Sequence, residues 1–313
     1  MDRIIVIVGP TASGKTGLSV ALARHFGGEV ISADSMQLYR GMDVGTAKVT
    51  AEEMQGVPHH MIDVADPGEA FSAGRFVQEA DPILRDILSR GKTAVIAGGT
   101  GLYVDSLIQG RDFAPSPATG VREALEQEAE EQGMEAMLSR LRQVDPDSAS
   151  RLHLSDRKRI LRALEIYEET GKTITEHDRE SRALPPKYSP VWLGLDFLDR
   201  QDLYARIDRR VDRMLEEGLL EEIEGLLRAG VPRDATAMQA IGYKEFLPVL
   251  EGKTPLSEAV ELVKRGSRRY AKRQLTWFRR NPAIRWIRQS ADPDPKWVLE
   301  EALRQMPPFD AGT

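Results

Sequence analysis

The residues best suited to chemistry form a glycine-bounded loop near the N-terminus, Gly9-Pro10-Thr11-Ala12-Ser13-Gly14-Lys15-Thr16. The spacing matches the phosphate-binding loop, in which backbone N–H groups at the start of a helix face phosphate oxygens. A lysine at this position reaches the terminal phosphates, and the threonine hydroxyl that follows is a ligand for Mg²⁺. The loop therefore predicts a phosphorylated ligand held with Mg²⁺ at Thr16.

Two further groups follow strand-like segments and are expected beside this loop. Asp34 follows residues 29–33, and Thr100 follows residues 93–97 in a second glycine-rich turn. Ligands of open α/β sheets bind outside the carboxyl ends of the strands. Asp34 is a candidate acid/base group, although its position is equally compatible with capping a helix that starts at Met36. The glycine turn either supplies N–H donors and the Thr100 hydroxyl, or serves chain geometry alone.

The elements that must position these groups alternate between short apolar runs and amphipathic helical patterns. Such alternation predicts an α/β fold with a P-loop NTPase-like parallel sheet core. Residues 114–189 carry helical patterns without a strand signal, so they are predicted to form an all-helical insertion domain in a core of residues 1–113 and 190–313. Strands are predicted at 4–8, 29–33, 59–64, 93–97 and 191–197, and helices at 17–25, 71–90, 121–131, 134–143, 156–170 and 202–229, the last interrupted at Gly218.

Composition limits the possible classes. The chain has 313 residues, of which 41% are hydrophobic and 29% charged, as expected for a globular enzyme. No segment approaches the roughly 18 apolar residues of a membrane span, so a cytoplasmic protein with no membrane partner is expected. The absence of cysteine excludes disulfides and thiolate metal sites.

Positive charge is concentrated locally although the net charge is −6. Residues 264–289 hold ten lysines and arginines and no acidic residue, interleaved with four aromatic side chains. This pattern favours phosphate contact and base stacking, against the alternative of internal pairing or a protein partner. A second basic cluster at 157–162 is either a nucleic-acid contact or a solvated face paired with nearby glutamates. Arginines 206, 209, 210 and 213 lie on two faces around an apolar stripe, where arginines are usually solvated.

Six motifs follow one another along the chain, at residues 9–16, 33–39, 98–103, 156–165, 241–243 and 272–279. Taken in order, they resemble the tRNA dimethylallyltransferase family of the bacterial type. The resemblance implies transfer of a dimethylallyl group from its diphosphate to the exocyclic N6 amine of the adenosine 3′-adjacent to the anticodon, with release of pyrophosphate. Two alternatives remain: prenylation of a free adenine nucleotide, and a P-loop kinase or ATPase.

The resemblance also implies roles for individual residues and partners. The loop holds a diphosphate leaving group, Asp34 removes the proton of the attacking amine, and Gln37 with Ser35 reads the edge of a flipped adenine. The implied partners are dimethylallyl diphosphate and the tRNA anticodon stem-loop, and the chain is expected to act as a monomer. The expected catalytic residues are Asp34, Lys15, Thr16, Thr100 and Arg206. The expected tRNA contacts are Asp34, Ser35, Met36, Gln37, Thr100, Arg122, Lys158, Arg159, Ile160, Leu161, Arg162, Gly242, Tyr243, Lys272, Arg273, Gln274, Trp277 and Arg279.

Overall fold

The computed structural model describes residues 2–111, 113, 119–183 and 185–307. In this part of the chain a six-stranded, all-parallel sheet forms the centre of the larger unit, which confirms the predicted α/β core. Its strands are β1 (Ile4–Val8), β2 (Glu29–Ser32), β3 (His59–His60), β4 (Ala94–Ala97), β5 (Val191–Phe197) and β6 (Arg285–Gln289). Their order across the sheet is β3-β2-β4-β1-β5-β6.

The helices connect and cover these strands. The element at Ala237–Gln239 is a short 3₁₀ helix. The α-helices are α1 (Lys15–Phe26), α2 (Ala51–Met54), α3 (Ala73–Ser89), α4 (Gly101–Gln109), α5 (Val121–Val144), α6 (Pro146–Ala149), α7 (Arg157–Thr170), α8 (Ile174–Ala183), α9 (Arg200–Glu216), α10 (Leu219–Arg228), α11 (Leu247–Leu250), α12 (Leu256–Phe278) and α13 (Pro295–Gln305).

Strand β1 lies inside the sheet and is buried along its whole length. Ile4, Val6 and Val8 face a core that includes α3 and α4, whereas Ile5 and Ile7 face α1 and α13. A parallel sheet with helices on both faces needs apolar residues at consecutive positions. The short apolar run before the phosphate loop is therefore a central strand that anchors the loop rigidly.

The chain divides into two compact units, Met1–Gly110 with Lys187–Thr313, and Arg111–Pro186. These limits differ by three residues from each predicted border of the insertion. Residues 114–118, where the first predicted border falls, lie outside the described residues. The smaller unit is helical and has its own apolar core, formed mainly between α5 and α7.

Two predicted elements differ from the structure. The strand predicted at 59–64 ends at His60, because Met61 and Asp63 adopt positive φ angles of 61° and 55° that are incompatible with an extended strand. Strand β6 was not predicted at all. It is a sheet-edge strand in which Arg285 and Arg288 are exposed and Ile287 and Gln289 are buried, so the regular alternation that indicates a strand is missing. The interruption predicted at Gly218 is confirmed, with a φ of 96° between α9 and α10.

Candidate active site

The phosphate loop connects β1 to α1 and curls around the side chain of Lys15. Gly9 has a φ of 147°, and a Cβ there would lie 2.6 Å from the carbonyl oxygen of Leu195. The Lys15 Nζ donates hydrogen bonds to the carbonyl oxygens of Gly9 (3.1 Å) and Pro10 (2.7 Å). Burial lowers the pKa of Lys15 to about 8, against the opposing effect of the Asp34 charge. The loop therefore holds its cation in place and partly desolvated.

Side chains from distant parts of the chain fix the loop backbone. Gln274 accepts from the Thr11 N–H (2.8 Å) and donates to the Gly99 carbonyl (3.0 Å), so it joins the two glycine-rich loops. Arg206 donates through Nε to the Ala12 carbonyl at 3.2 Å. Gln274 is only 4% exposed, which makes it a structural bridge between the loops, whereas a direct tRNA contact had been predicted for it.

Strand β4 separates the phosphate loop from Asp34, and Thr100, which follows β4, binds the residues on both sides of Asp34. The Thr100 hydroxyl oxygen accepts from the Ser35 N–H at 3.0 Å, and the Thr100 N–H donates to the Ala33 carbonyl at 3.2 Å. One oxygen of Asp34 accepts from the Met36 N–H at 2.9 Å. Residues 35–38 form a turn, so Asp34 does cap local backbone, but no helix starts at Met36.

Two adjoining cavities meet at Asp34. The first, about 530 Å³, is lined by residues 11–16 of the phosphate loop, Gln37 and four arginines of α9. The second, about 320 Å³, is lined by Ser35, Met36 and Gly242 together with apolar side chains of α9 and α12. A polar anion pocket and a more apolar pocket therefore share one wall. That wall consists of Thr11, Asp34, Arg210, Met214 and Tyr270.

The α9 arginines correct the interpretation of this helix from sequence. Arg206, Arg209, Arg210 and Arg213 all line the first cavity, so they share one face instead of lying on two. Their spacing of i, i+3, i+4 and i+7 would have indicated this. Within the described ranges none of the four forms an ion pair with a carboxylate. Burial lowers the pKa of Arg210, which donates to the Thr46 carbonyl at 3.1 Å.

Tyr270 is a site residue that the sequence did not single out. It lies on the wall shared by both cavities, whereas it had been grouped with aromatics expected to stack on bases. Burial and the nearby Asp34 charge raise the pKa of Tyr270 to about 12. Its phenol therefore stays protonated at neutral pH and is a donor at the junction. Only its position on helix α12, one turn before Gln274, could have indicated this.

The exposed face of α12 and the turn that follows it carry a basic stripe, which we define as Arg265, Arg269, Lys272 and Arg273 on the helix and Arg280 just after it. In the part of the chain described by the structure, these residues have no carboxylate partner. Other basic residues of this segment do pair internally, Lys264 with Asp212 at 2.6 Å and Arg268 with Asp208 at 2.6 Å. The internal-pairing alternative thus holds for part of the segment only.

Several aromatic and flanking residues of this segment are structural. Phe278 is buried and Trp286 packs on Gly194, where a Cβ would lie 2.7 Å from its ring. The Trp277 Nε1 donates to Asp105 at 2.7 Å, and the ring covers Gly101. Arg279 is exposed but pairs with Asp196 at 2.9 Å.

The residues predicted around Gly242 and Tyr243 also lie inside the larger unit. Gly242 has a φ of 97°, which favours glycine, and Tyr243 is fully buried. The Tyr243 hydroxyl donates to Glu222 at 2.6 Å. Tyr243 therefore cannot touch tRNA directly, because no part of its side chain reaches the surface.

In the smaller unit, α7 presents its basic residues on one side and its apolar residues on the other. Lys158 and Arg159 are exposed, whereas Ile160 and Leu161 are fully buried and attach α7 to α5. Arg162 pairs with Glu165 at 3.1 Å, and Arg122 approaches the same carboxylate at 3.6 Å. The predicted pairing with glutamate is thus present for Arg162. The side of α7 that is exposed to solvent is the side that carries Lys158 and Arg159.

A parallel sheet with a phosphate loop after its first strand, beside a cavity lined by arginines, defines a P-loop α/β protein whose site is suited to a phosphorylated ligand. The chain belongs to the IPP transferase family, whose model matches residues 37–281, and the model of isopentenyl transferase matches residues 2–67.

Individual relatives agree along nearly the whole chain. A tRNA dimethylallyltransferase of Geobacter sulfurreducens is 50% identical over 294 residues, covering 93% of this chain and 94% of the relative. The structure of a tRNA isopentenylpyrophosphate transferase from Bacillus halodurans matches with a TM-score of 0.72 and 44% identity, over 97% of this chain and 95% of that one. A eukaryotic dimethylallyltransferase acting on tRNA matches with a TM-score of 0.83 and 33% identity, over 97% and 77%. The predicted family, fold class and enzyme class are confirmed. Among the described residues no helix is long and apolar enough to cross a membrane.

Proposed function

We propose that this chain transfers the dimethylallyl group of dimethylallyl diphosphate to the N6 amine of the adenosine 3′-adjacent to the anticodon of tRNA, releasing pyrophosphate. The observation that carries the proposal is the wall shared by the two cavities. Asp34 and Tyr270 lie where a diphosphate in the first cavity meets a base in the second. A transfer between two ligands needs such a junction, because the reacting atoms must be held about 3 Å apart.

On the donor side, the bond that breaks joins the allylic carbon to the bridging oxygen of the diphosphate. Negative charge grows on the departing pyrophosphate, so cations positioned beforehand stabilise the transition state more than the ground state. Lys15, Arg206 and Arg210 are held near that position by hydrogen bonds to backbone carbonyls. Tyr270 supplies a further hydroxyl donor at the junction, whereas Thr100, which was expected to be catalytic, lines neither cavity and binds Ser35 beside Asp34.

On the acceptor side, the bond that forms joins N6 of adenine to the same carbon. The exocyclic amine is a weak nucleophile because its lone pair is delocalised into the ring, so its proton must leave as the bond forms. Asp34 is the carboxylate at the junction, and one of its oxygens already accepts from Met36. The remaining lone pairs are available for the N6 proton, which makes Asp34 the general base.

Magnesium fits this site as a companion of the diphosphate. The described residues hold no cluster of carboxylates or histidines suited to a metal, and Thr16 offers one exposed hydroxyl at the start of α1. Mg²⁺ commonly takes one or two protein ligands and completes its shell with phosphate oxygens and water. Thr16 would hold the ion, and the ion would neutralise charge on the diphosphate.

For tRNA, we propose contacts by the basic stripe of α12 and, in the smaller unit, by Lys158, Arg159 and Arg162. Arginine and lysine on exposed helix faces suit the phosphate backbone, and adenine must leave its stack to reach Asp34. We propose that the chain acts as a monomer on cytoplasmic tRNA. Sedimentation of the enzyme with and without tRNA tests that state.

The decisive experiment incubates the enzyme with labelled dimethylallyl diphosphate, Mg²⁺ and unmodified tRNA, with AMP and ATP offered as alternative acceptors. We expect label in tRNA, mapped to the adenosine beside the anticodon, and equimolar pyrophosphate. A tRNA transcript with guanosine at that position is the matched control and should stay unlabelled. Label in the mononucleotides alone would overturn the proposal.

A further inference from the structure

A carboxylate far from the reacting groups holds the loop that borders both cavities. Glu222 on α10 accepts hydrogen bonds from three consecutive backbone N–H groups, those of Asp43 (2.7 Å), Val44 (2.7 Å) and Gly45 (3.1 Å). More than 170 residues separate the partners in sequence. Successive N–H groups that converge in this way form an anion-binding concavity, and here the anion is a side chain of the protein.

Tyr243 completes this arrangement from the opposite side. Its hydroxyl donates to the same glutamate at 2.6 Å, and its fully buried ring lies against Gly45. A Cβ on Gly45 would lie 2.5 Å from that ring, so only glycine allows the loop to approach. Tyr243 is buried and does not contact tRNA, and these contacts give its motif a structural role: it holds Glu222 against the loop of residues 43–47.

The loop of residues 43–47, which Glu222 holds, contacts side chains of the site through two of its carbonyl oxygens. The Thr46 carbonyl accepts from Arg210 at 3.1 Å and from the Gln37 Nε2 at 3.3 Å, and the Ala47 carbonyl accepts from the same Gln37 nitrogen at 3.2 Å. Ser32 donates to the Gln37 Oε1 at 3.2 Å. The loop backbone thus orients one cation of the diphosphate cavity and the nitrogen end of the Gln37 amide, whose oxygen end is held by Ser32 of β2.

The loop is folded on itself and needs an outside anchor. Turn bonds join the Ala47 N–H to Val44 (3.0 Å) and the Lys48 N–H to Asp43 (2.9 Å), which keeps its shape but not its position. Hydrogen bonds to a charged acceptor are stronger than neutral ones, and leaving their donors unpaired is costly. Glu222 provides that anchor on the side of α10.

We propose that Glu222, oriented by Tyr243, is a positioning residue of the active site, and that it acts by holding residues 43–47 so that Arg210 and Gln37 point at their ligands. A role of Glu222 in catalysis rests on the proposed function. The contacts of Glu222 also predict that its loss weakens anion binding, which can be measured without the transfer reaction.

The test compares Glu222→Gln with Glu224→Gln, the same change at an exposed position of the same helix. We expect Glu222→Gln to weaken binding of inorganic pyrophosphate with Mg²⁺, measured by calorimetry, about tenfold, because the amide presents N–H groups to backbone donors. Tyr243→Phe keeps the ring and should weaken binding about threefold. Glu224→Gln should bind as the unmodified enzyme does.

A double-mutant cycle separates positioning from general destabilisation. If Glu222 acts through Arg210, the effects of Glu222→Gln and Arg210→Lys on pyrophosphate affinity are non-additive, whereas a loss of stability alone makes them additive. Normal pyrophosphate affinity in both Glu222→Gln and Tyr243→Phe, or additivity in the cycle, overturns the inference. A wild-type enzyme that binds pyrophosphate but labels no tRNA contradicts the proposed function and leaves this test intact.

Discussion

Helices α9 and α12 pack against each other and are both rich in arginine, yet they present their charge in opposite ways. The α9 arginines line a cavity beside the phosphate loop, where two of them bind backbone carbonyls. The basic stripe is exposed to solvent, and its Arg273 also lines the second cavity, while Lys264 and Arg268 of α12 pair with α9. The same type of side chain therefore suits a small anion on α9 and a long polyanion on α12.

This difference indicates that the burial of the arginines, more than their number, decides which kind of ligand a basic helix can bind. A guanidinium in a confined cavity is positioned beforehand and acts in a lower dielectric, so it suits a compact diphosphate. Exposed side chains on one helix face are screened and mobile, which suits a backbone whose phosphates are contacted at many points and whose binding falls with salt.

The largest effect is expected where the two regions meet. Asp34→Asn keeps the shape of the side chain but removes its basicity, so the single-turnover rate of transfer should fall on the order of 10² to 10⁴-fold. Affinity for tRNA should stay nearly unchanged, and measuring it on the same preparation is the control. An unchanged single-turnover rate would remove the general-base role.

A smaller loss is expected on the cavity side of the comparison. Arg210→Ala should lower kcat/KM for dimethylallyl diphosphate roughly 10- to 100-fold, since a charge-assisted contact to the leaving group is lost. Arg200→Ala, at an exposed position of the same helix, is the matched control and should leave kcat/KM unchanged. Equal effects of the two changes would mean that the cavity arginines are only solvated charges.

The pH dependence of anion binding sharpens the same contrast. With a pKa of about 8, Lys15 is charged below pH 8, and above it the enzyme must take up a proton to bind a diphosphate with a charged lysine. The dissociation constant of pyrophosphate should therefore rise by up to about tenfold per pH unit above 8. Calorimetry in buffers of different ionisation enthalpy checks the proton uptake.

A flat profile between pH 8 and 9.5 would contradict that assignment. Lys15→Met is the control, because it should bind more weakly and lose the slope.

The smallest single effects are expected on the exposed side. Arg273→Gln should weaken tRNA binding several-fold and reduce the slope of log affinity against log salt by about one. Arg279→Gln should do less, because Arg279 is already paired with Asp196. Filter binding between 50 and 200 mM salt measures both, with Arg228→Gln on α10 as a control. Slopes that match the wild-type slope in both variants would exclude these contacts.

The sequence predicted the parts of the site that depend on local pattern. The phosphate loop and its strand follow from spacing and from a short apolar run, and Asp34 follows from its place at a strand end. Strand order could not be predicted, because pairing across the sheet is decided by contacts distant in sequence. For this reason the sequence could not show that β4 lies between the loop and Asp34, or that Thr100 binds the residues on both sides of Asp34.

Residue type and motif alone led to wrong predicted roles for several side chains. Gln274 and Tyr243 occur in motifs beside basic or glycine residues, yet burial makes one a bridge between loops and the other a partner of Glu222. The α9 arginines could have been found by their helical spacing. Glu222 could not, since its partners are backbone N–H groups that no sequence pattern records.

The most direct test of the division between α9 and α12 measures both ligands on one variant from each helix. Pyrophosphate with Mg²⁺ and unmodified tRNA are titrated separately into Arg206→Ala, at a residue that lines only the first cavity, and into Arg269→Gln, at an exposed residue of the basic stripe, at constant salt. The account predicts that Arg206→Ala weakens pyrophosphate binding and spares tRNA, and that Arg269→Gln does the reverse. Loss of both affinities in either variant, to a similar degree, would contradict it.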